Sequence, residues 1–359
     1  NMVLLTAVLA LGITLLTTVN CRRILIWMQN PEDTFAYAYN YIFLIFLGIP
    51  ATMLYNLLSG ILRSLGDSRT PLMFLVFSSL LNVALDIVCV VTLQMGVAGA
   101  GWATLISQLI SGLLCLLYMD RKFPILHLKK ENLLWRGHCV RRLLIMGLPM
   151  GLQYSITAIG SILLQTAVNG LGAVSMAAVA ASGKVTNLFA TPYDAMGTMA
   201  ATYAGQNLGA GKLDRVHHGV KDCCILGVAY SLAALVVMYF LGAQMTALFL
   251  DSKDVASSAQ ILPLARQLLV TNAAFYIPLL GVNLFRFTIQ GLGYSNLAVI
   301  AGVFEMIARG AVAALVSVFG FTAVCYASPA AWVLADCFLL PAYFVCMKRR
   351  TKEAAAARE

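Results

Sequence analysis

Apolar residues continue unbroken for stretches longer than the roughly 18 that mark a membrane-spanning candidate, and short polar turns separate them. This pattern predicts ten helical spans, at 2–27, 36–65, 71–94, 97–119, 143–169, 173–204, 217–248, 260–290, 294–319 and 322–347. A membrane barrel would instead alternate apolar and polar residues in segments of about ten. The fold class expected is therefore an all-α polytopic membrane protein. The second, sixth and eighth spans are long enough to tilt. The connection 120–142 is the longest charged one and divides the chain into four spans and six. Its middle, Ile125 to Trp135, mixes Leu and Lys as a short interfacial helix does; a plain linker reads equally well.

The pattern also repeats. At an offset of 227 residues, Asn56 meets Asn283, Leu57 meets Leu284, Leu65 meets Leu292, Gly66 meets Gly293 and Ser68 meets Ser295. At an offset of 224, Gly96 meets Gly320, Ala103 meets Ala327 and Trp102 meets Tyr326. The four spans before the charged loop thus match the last four of the chain, as in transporters built from parallel repeats. The spans 143–169 and 173–204 have no partner. The expectation is a 6+6 two-lobe bundle whose first two helices, roughly 70–80 residues at ordinary helix rise and loop length, precede Asn1. The organisation expected is an N-lobe at 1–119, a cytoplasmic inter-lobe loop at 120–142, a C-lobe at 143–347 and a tail at 348–359.

Composition agrees with a membrane protein. Of 359 residues, 60% are hydrophobic and 11% charged, against about 25% charged in soluble domains. The net charge of +9 reads as orientation, not as nucleic-acid binding. The connections 63–71, 120–142 and 205–221 and the tail hold 17 Lys and Arg, while the opposite side holds only Arg22, Arg23, Lys253 and Arg266. That bias places the first group, and the C-terminus, in the cytoplasm. The nine cysteines are odd in number, scattered and without a C-x-x-C pair; they read as packing residues. The loop GQNLGAGK at 205–212 lacks the Gly and the Ser or Thr of a phosphate loop.

Ionisable groups inside spans mark functional sites by default. Asn82 and Asp86 lie four apart on one helix face. A carboxylate beside an amide oxygen and a hydroxyl can bind Na⁺ or carry a proton; a structural hydrogen bond between helices is the alternative. Glu305 and Arg309 also lie four apart and read as a buried ion pair, or as a coupling element. Lys184 lies ten residues before Asp194, with Pro192 between them expected to kink the helix. Arg286, near a span end, is expected to snorkel. Asp336 in the last span is a weaker candidate.

In order and spacing, several motifs resemble the multidrug and toxic compound extrusion (MATE) family. They are Gly48-Ile49-Pro50, GILRSLGDSRTP at 60–71, LNVALD at 81–86, GVAGAGWATLISQ at 96–108, GLPMGLQ at 147–153, GQNLGAG at 205–211 and P-x-x-W at 329–332. The resemblance spans essentially the whole chain. It implies two six-helix lobes facing a cleft, alternating access, and antiport of amphipathic, often cationic, compounds against H⁺ or Na⁺. It assigns Asn82, Asp86 and Thr104 to the N-lobe cation site, with Asn56 nearby, and places a further Asp of that site on a first helix before Asn1. Asn56, Gln153, Lys184 and Asn283 are the expected substrate or cleft residues. The family's second cation site, with acids on the seventh and tenth helices, has no counterpart in 143–169 or 260–290.

The resulting expectation is a monomeric, multi-pass exporter of the inner or plasma membrane. It would be no enzyme, and would have no cofactor or metal beyond H⁺ or a Na⁺ ion at Asp86. Its partners would be small organic substrates and membrane lipids, with no nucleic acid. A flippase for lipid-linked precursors, of the same superfamily, is the alternative. A membrane-embedded enzyme or a channel subunit ranks lower, because neither clustered His or paired acids at one membrane face nor a repeated pore motif is evident.

Overall fold

A computed structural model describes residues 1–27, 32–126, 134–250 and 255–356. The chain divides into two units, Asn1–Leu143 and Leu144–Glu359. The first contains α1 (Met2–Trp27), α2 (Glu32–Leu47), α3 (Ile49–Ser64), α4 (Arg69–Asp86) and α5 (Gly96–Lys122). Then follow α6 (Gly137–Asn169), α7 (Ala173–Gly209), α8 (Leu213–Ala247), α9 (Val255–Ala274), α10 (Tyr276–Gly291), α11 (Ser295–Phe319) and α12 (Phe321–Ala356). The described residues contain no strand. With α2 and α3 taken as one span, nine helices among the described residues are long and apolar enough to cross a membrane, or ten if α9 and α10 count as one bent span. The interfacial helix expected at 125–135 falls mainly on 127–133, which lie outside the described residues; before them Pro124–Leu126 form a 3₁₀ turn.

The apolar runs become helices with solvent-like exposure of large side chains. On α1, Leu11, Leu15 and Val19 are all exposed and only Ala10, Cys21 and Leu25 are buried. Such faces suit hydrocarbon, where a helix satisfies every backbone donor internally. The second unit buries a larger core, with Tyr193, Tyr276, Leu284 and Leu339 fully enclosed. In the first unit Tyr55, Leu58, Leu62 and Cys115 form the corresponding cluster.

The internal repeat is visible in the backbone. Moving the bounds of α3 by the first offset gives the bounds of α10. The break before α3 is at Gly48, with Pro50 in the first turn. Its counterpart is Phe275, where α9 and α10 meet at 52°. There Pro278 lacks an N–H and its ring conflicts with the carbonyl four residues earlier, which stops α9 from continuing straight. Gly66 and Gly293 both take φ +91°, and Gly96 and Gly320 both take φ +59°. In each unit the left-handed glycine lets the next amide reach back: Asp67 N–H donates to Leu62 O at 3.0 Å, and Tyr294 N–H to Ile289 O at 3.1 Å.

Candidate functional site

In the first unit a polar ladder joins α4 to α5. Ser111 donates to Phe74 O at 3.3 Å, Ser78 to Ser107 O at 2.9 Å, and Asn82 Nδ2 to Thr104 Oγ1 at 3.5 Å. Thr104 in turn donates to Ala100 O at 3.0 Å. The rungs on α4 come every four residues, so Asp86 supplies the next one. One turn before Thr104, α5 carries Ala100 and Gly101, neither with a hydroxyl. Asp86 Oδ1 is buried and has no hydrogen-bond partner among the described residues. Asp86 as a whole is half-buried, so one of its oxygens is enclosed without a partner. Asp86, Asn82 and Thr104 carry a carboxylate, an amide and a hydroxyl oxygen, the hard ligand types that suit Na⁺.

Asp86 is also the last α-helical residue before a π-helical segment, Ile87–Thr92. Wide turns of this kind concentrate at functional sites. The segment packs against α5 at Gly99, where an added Cβ would stand 3.0 Å from the Cys89 carbonyl carbon. This explains one glycine of the GVAGAG motif. A second, Gly101, accommodates Leu44, which a Cβ would meet at 3.0 Å. Asn56 is exposed on α3.

The GDSRTP turn of the same unit is held by Asp67. Its carboxylate accepts from the Thr70 amide at 3.1 Å, the Thr70 hydroxyl at 2.9 Å and the Tyr118 hydroxyl at 2.8 Å, with Lys122 Nζ at 3.5 Å. Burial pushes its pKa up, but these donors and the ammonium outweigh burial and hold it at about 2.

The second unit holds a different charged group. Glu305 accepts from Arg286 through one oxygen and from Arg309 through the other, the latter at 3.3 Å. All three are buried. Arg309 also donates to Thr157 O at 3.4 Å. The expected Glu305 and Arg309 pair is thus a triad. Arg286 does not snorkel: with 6% of its surface exposed it lies inside the unit because Glu305 compensates it. The sequence carried no direct signal of this pairing, since the partners sit 19 residues apart on different helices; the one hint was two buried arginines beside a single glutamate.

Gln153 and Asn283, expected as cleft residues, are buried at 2% and 7% exposure. Gln153 accepts from Gln290 at 2.8 Å, a partner the sequence reading did not single out. Asn283 donates to Leu279 O in its own helix at 3.1 Å. Lys184 is exposed and lies over the Phe249 ring at 5.3 Å. α7 continues through Pro192 as one helix.

The MatE family model matches residues 1–88 and 149–322. "Probable multidrug resistance protein YpnP" of Bacillus subtilis is 30% identical over 270 residues, which is 74% of this chain and 57% of that protein. "Probable multidrug resistance protein YoeA" of the same organism is 26% identical over 63% of this chain and 50% of its own length. The chain therefore spans about half the length of these curated relatives. A crystal structure of MATE in the bent conformation superposes with a TM-score of 0.88 at 19% identity, covering 98% of this chain and 78% of that one. The same helices in the same order, the repeat, and a family match over most of the sequence lead to one assignment: this chain belongs to the MatE family of multi-pass membrane transporters.

Proposed function

We propose that this chain works as a cation-coupled antiporter that exports amphipathic, often cationic, compounds by alternating access. The observation that carries this reading is the buried, unpartnered Oδ1 of Asp86 at the end of the α4–α5 ladder. Asp86, Asn82 and Thr104 would supply oxygen ligands to Na⁺, or Asp86 would take a proton. Either event neutralises the carboxylate and stabilises the packing of α4 on α5. Release of the ion restores an uncompensated charge beside the π-helical segment and favours rearrangement there. Export follows if substrate and ion each favour opposite states, since a ligand shifts an equilibrium only by its differential affinity. With the C-terminus cytoplasmic, as the Lys and Arg bias supports, substrate would load from the cytoplasm.

A flippase for lipid-linked phosphates needs unpaired cations around its cleft. Arg286 and Arg309 share Glu305, and Lys184 lies over an aromatic ring. This favours the exporter. The test is efflux of a fluorescent lipophilic cation from vesicles containing the complete protein, under separate proton and sodium gradients. Asp86→Asn should abolish gradient-driven efflux, and Thr104→Val should weaken it. Unchanged efflux and unchanged ion dependence in Asp86→Asn would overturn the reading.

A further inference from the structure

The second unit contains another carboxyl in an unusual position. Asp336 stands on α12 with its side chain against the backbone of α10 at Gly281. A Cβ at 281 would meet both the carboxyl carbon and Oδ1 at 2.8 Å, so any larger residue there would displace the carboxyl. The two repeat offsets map these positions to Leu54 on α3 and Gly112 on α5. There a side chain again lies against a glycine: a Cβ on Gly112 would stand 3.2 Å from Leu54 Cδ2. In that unit the large residue is on the other helix, and it is apolar. The second unit fills the equivalent slot with a carboxyl, although packing alone asks for nothing polar.

Asp336 Oδ1 is buried and has no hydrogen-bond partner among the described residues, and neither has Arg286 Nε. Asp336 thus has an unused acceptor, and Arg286, five residues along α10 from the Gly281 contact, has an unused donor. The charges acting on Asp336 are Arg286 from α10 and Glu305 from α11. Arg286 also acts on Asp194 of α7 and Tyr154 of α6. The one charged residue of α9, Arg266, lies over the Tyr239 ring instead. The charged residues of α8 (Asp214, Arg215, Lys221 and Asp222) all fall in its first third, as do His218 and the titratable His217, whose ring lies 3.3 Å from the Tyr343 hydroxyl of α12, seven residues beyond Asp336. Glu305 meanwhile divides its two oxygens between two guanidiniums.

We propose that Asp336 is a proton-binding site of the second unit, and that its charge state decides whether Arg286 serves Glu305 alone or Glu305 and Asp336 together. With the proton bound, the carboxyl is neutral and fills the slot as leucine does in the first unit. Both guanidiniums then belong to Glu305. When the proton leaves to water, Asp336 becomes a second anion for Arg286, and Glu305 turns toward Arg309. The proton is the one species exchanged, and α10, α11 and α12 are the elements whose packing it changes. This site is separate from the Asp86 site and holds whichever ion binds there.

Trp332 provides a reporter: it lies one helical turn before Asp336, buried, with its ring 6.3 Å from that of Tyr276. The experiment titrates its emission with pH in the detergent-purified complete protein, with every other tryptophan, including Trp27, Trp102 and Trp135, replaced by Phe. A single reversible transition is expected. Asp336→Asn should remove it, Asp86→Asn should leave it in place, and Arg286→Lys should move its midpoint by about one pH unit or more. Persistence of the transition in Asp336→Asn, its absence from the parent, or its loss in Asp86→Asn overturns the proposal. Should Asp336→Asn fail to fold, an unmoved midpoint in Arg286→Lys overturns it equally. The readout involves no transport, so failure of export coupling at Asp86 leaves this result unaffected.

Discussion

Glu305 is the side chain on which the interior of the second unit most depends. It is 3% exposed and lies between two buried guanidiniums. Glu305→Gln removes the carboxylate that Arg286 and Arg309 share, and should lower stability by about 3–5 kcal/mol, read as the thermal midpoint in detergent. Replacing all three together by Met, Leu and Met should recover most of that loss, because a buried ion network adds little over apolar packing. Asp67 contributes differently, with pH. Its folded pKa of about 2 lies below the ordinary 3.8. Its contribution is therefore complete above about pH 4 and disappears as pH falls toward 2. The melting temperature should drop across that window in the parent and drop less in Asp67→Asn, while the variant melts lower at neutral pH. Asp67 was legible in the sequence only as part of a polar turn. Its four donors come from Thr70 and from the far end of α5, and nothing in the local sequence announced the latter.

Helix existence and order were readable because lipid enforces continuous apolar runs, and that signal survives without any knowledge of packing. The ends were less readable. α6, α8 and α12 extend past the hydrophobic runs into charged residues, from Gly137, from Leu213 and to Ala356, since helices outlast the hydrocarbon that hydropathy detects. The π-helical turn after Asp86 left no sequence signal, because Ile87 to Thr92 reads as plain apolar span. Glycine function, by contrast, follows from element contact. Gly99→Ala would press a methyl against the Cys89 backbone and should destabilise the first unit by about 1–3 kcal/mol. The left-handed glycines offer a paired test. Gly66→Ala and Gly293→Ala should each cost about 1–2 kcal/mol, and the second should cost more, since its Cβ would stand 2.9 Å from the Arg350 guanidinium. Equal melting temperatures for parent and variants would show that the shared turn is not under the constraint its φ values indicate.

At the scale of the molecule, orientation is the property that the charge pattern dictates most directly. In a cysteine-free background, Ala356→Cys should react with a membrane-impermeant maleimide only after permeabilisation of whole cells. All nine native cysteines are free, so the background removes no cross-link. Labelling of intact cells would overturn the proposed cytoplasmic C-terminus. The two units share a plan yet differ in chemistry at matching depth: where the first has Asn82, the second has Arg309, and where the first has Ser78, the second has Glu305. The π-helical turn adds a difference of length. Gly66 and Gly96 are 30 residues apart, Gly293 and Gly320 only 27, and the turn lies within the longer interval. The first copy thus carries three additional residues between Gly66 and Gly96, in the interval that contains Asp86 and the π-helical turn. Trimming that interval to the length of the other copy would change the register of α5 against α4, and with it the rungs that join them. The stretch that follows Asp86 is therefore the part of the first copy that the second copy's spacing does not reproduce.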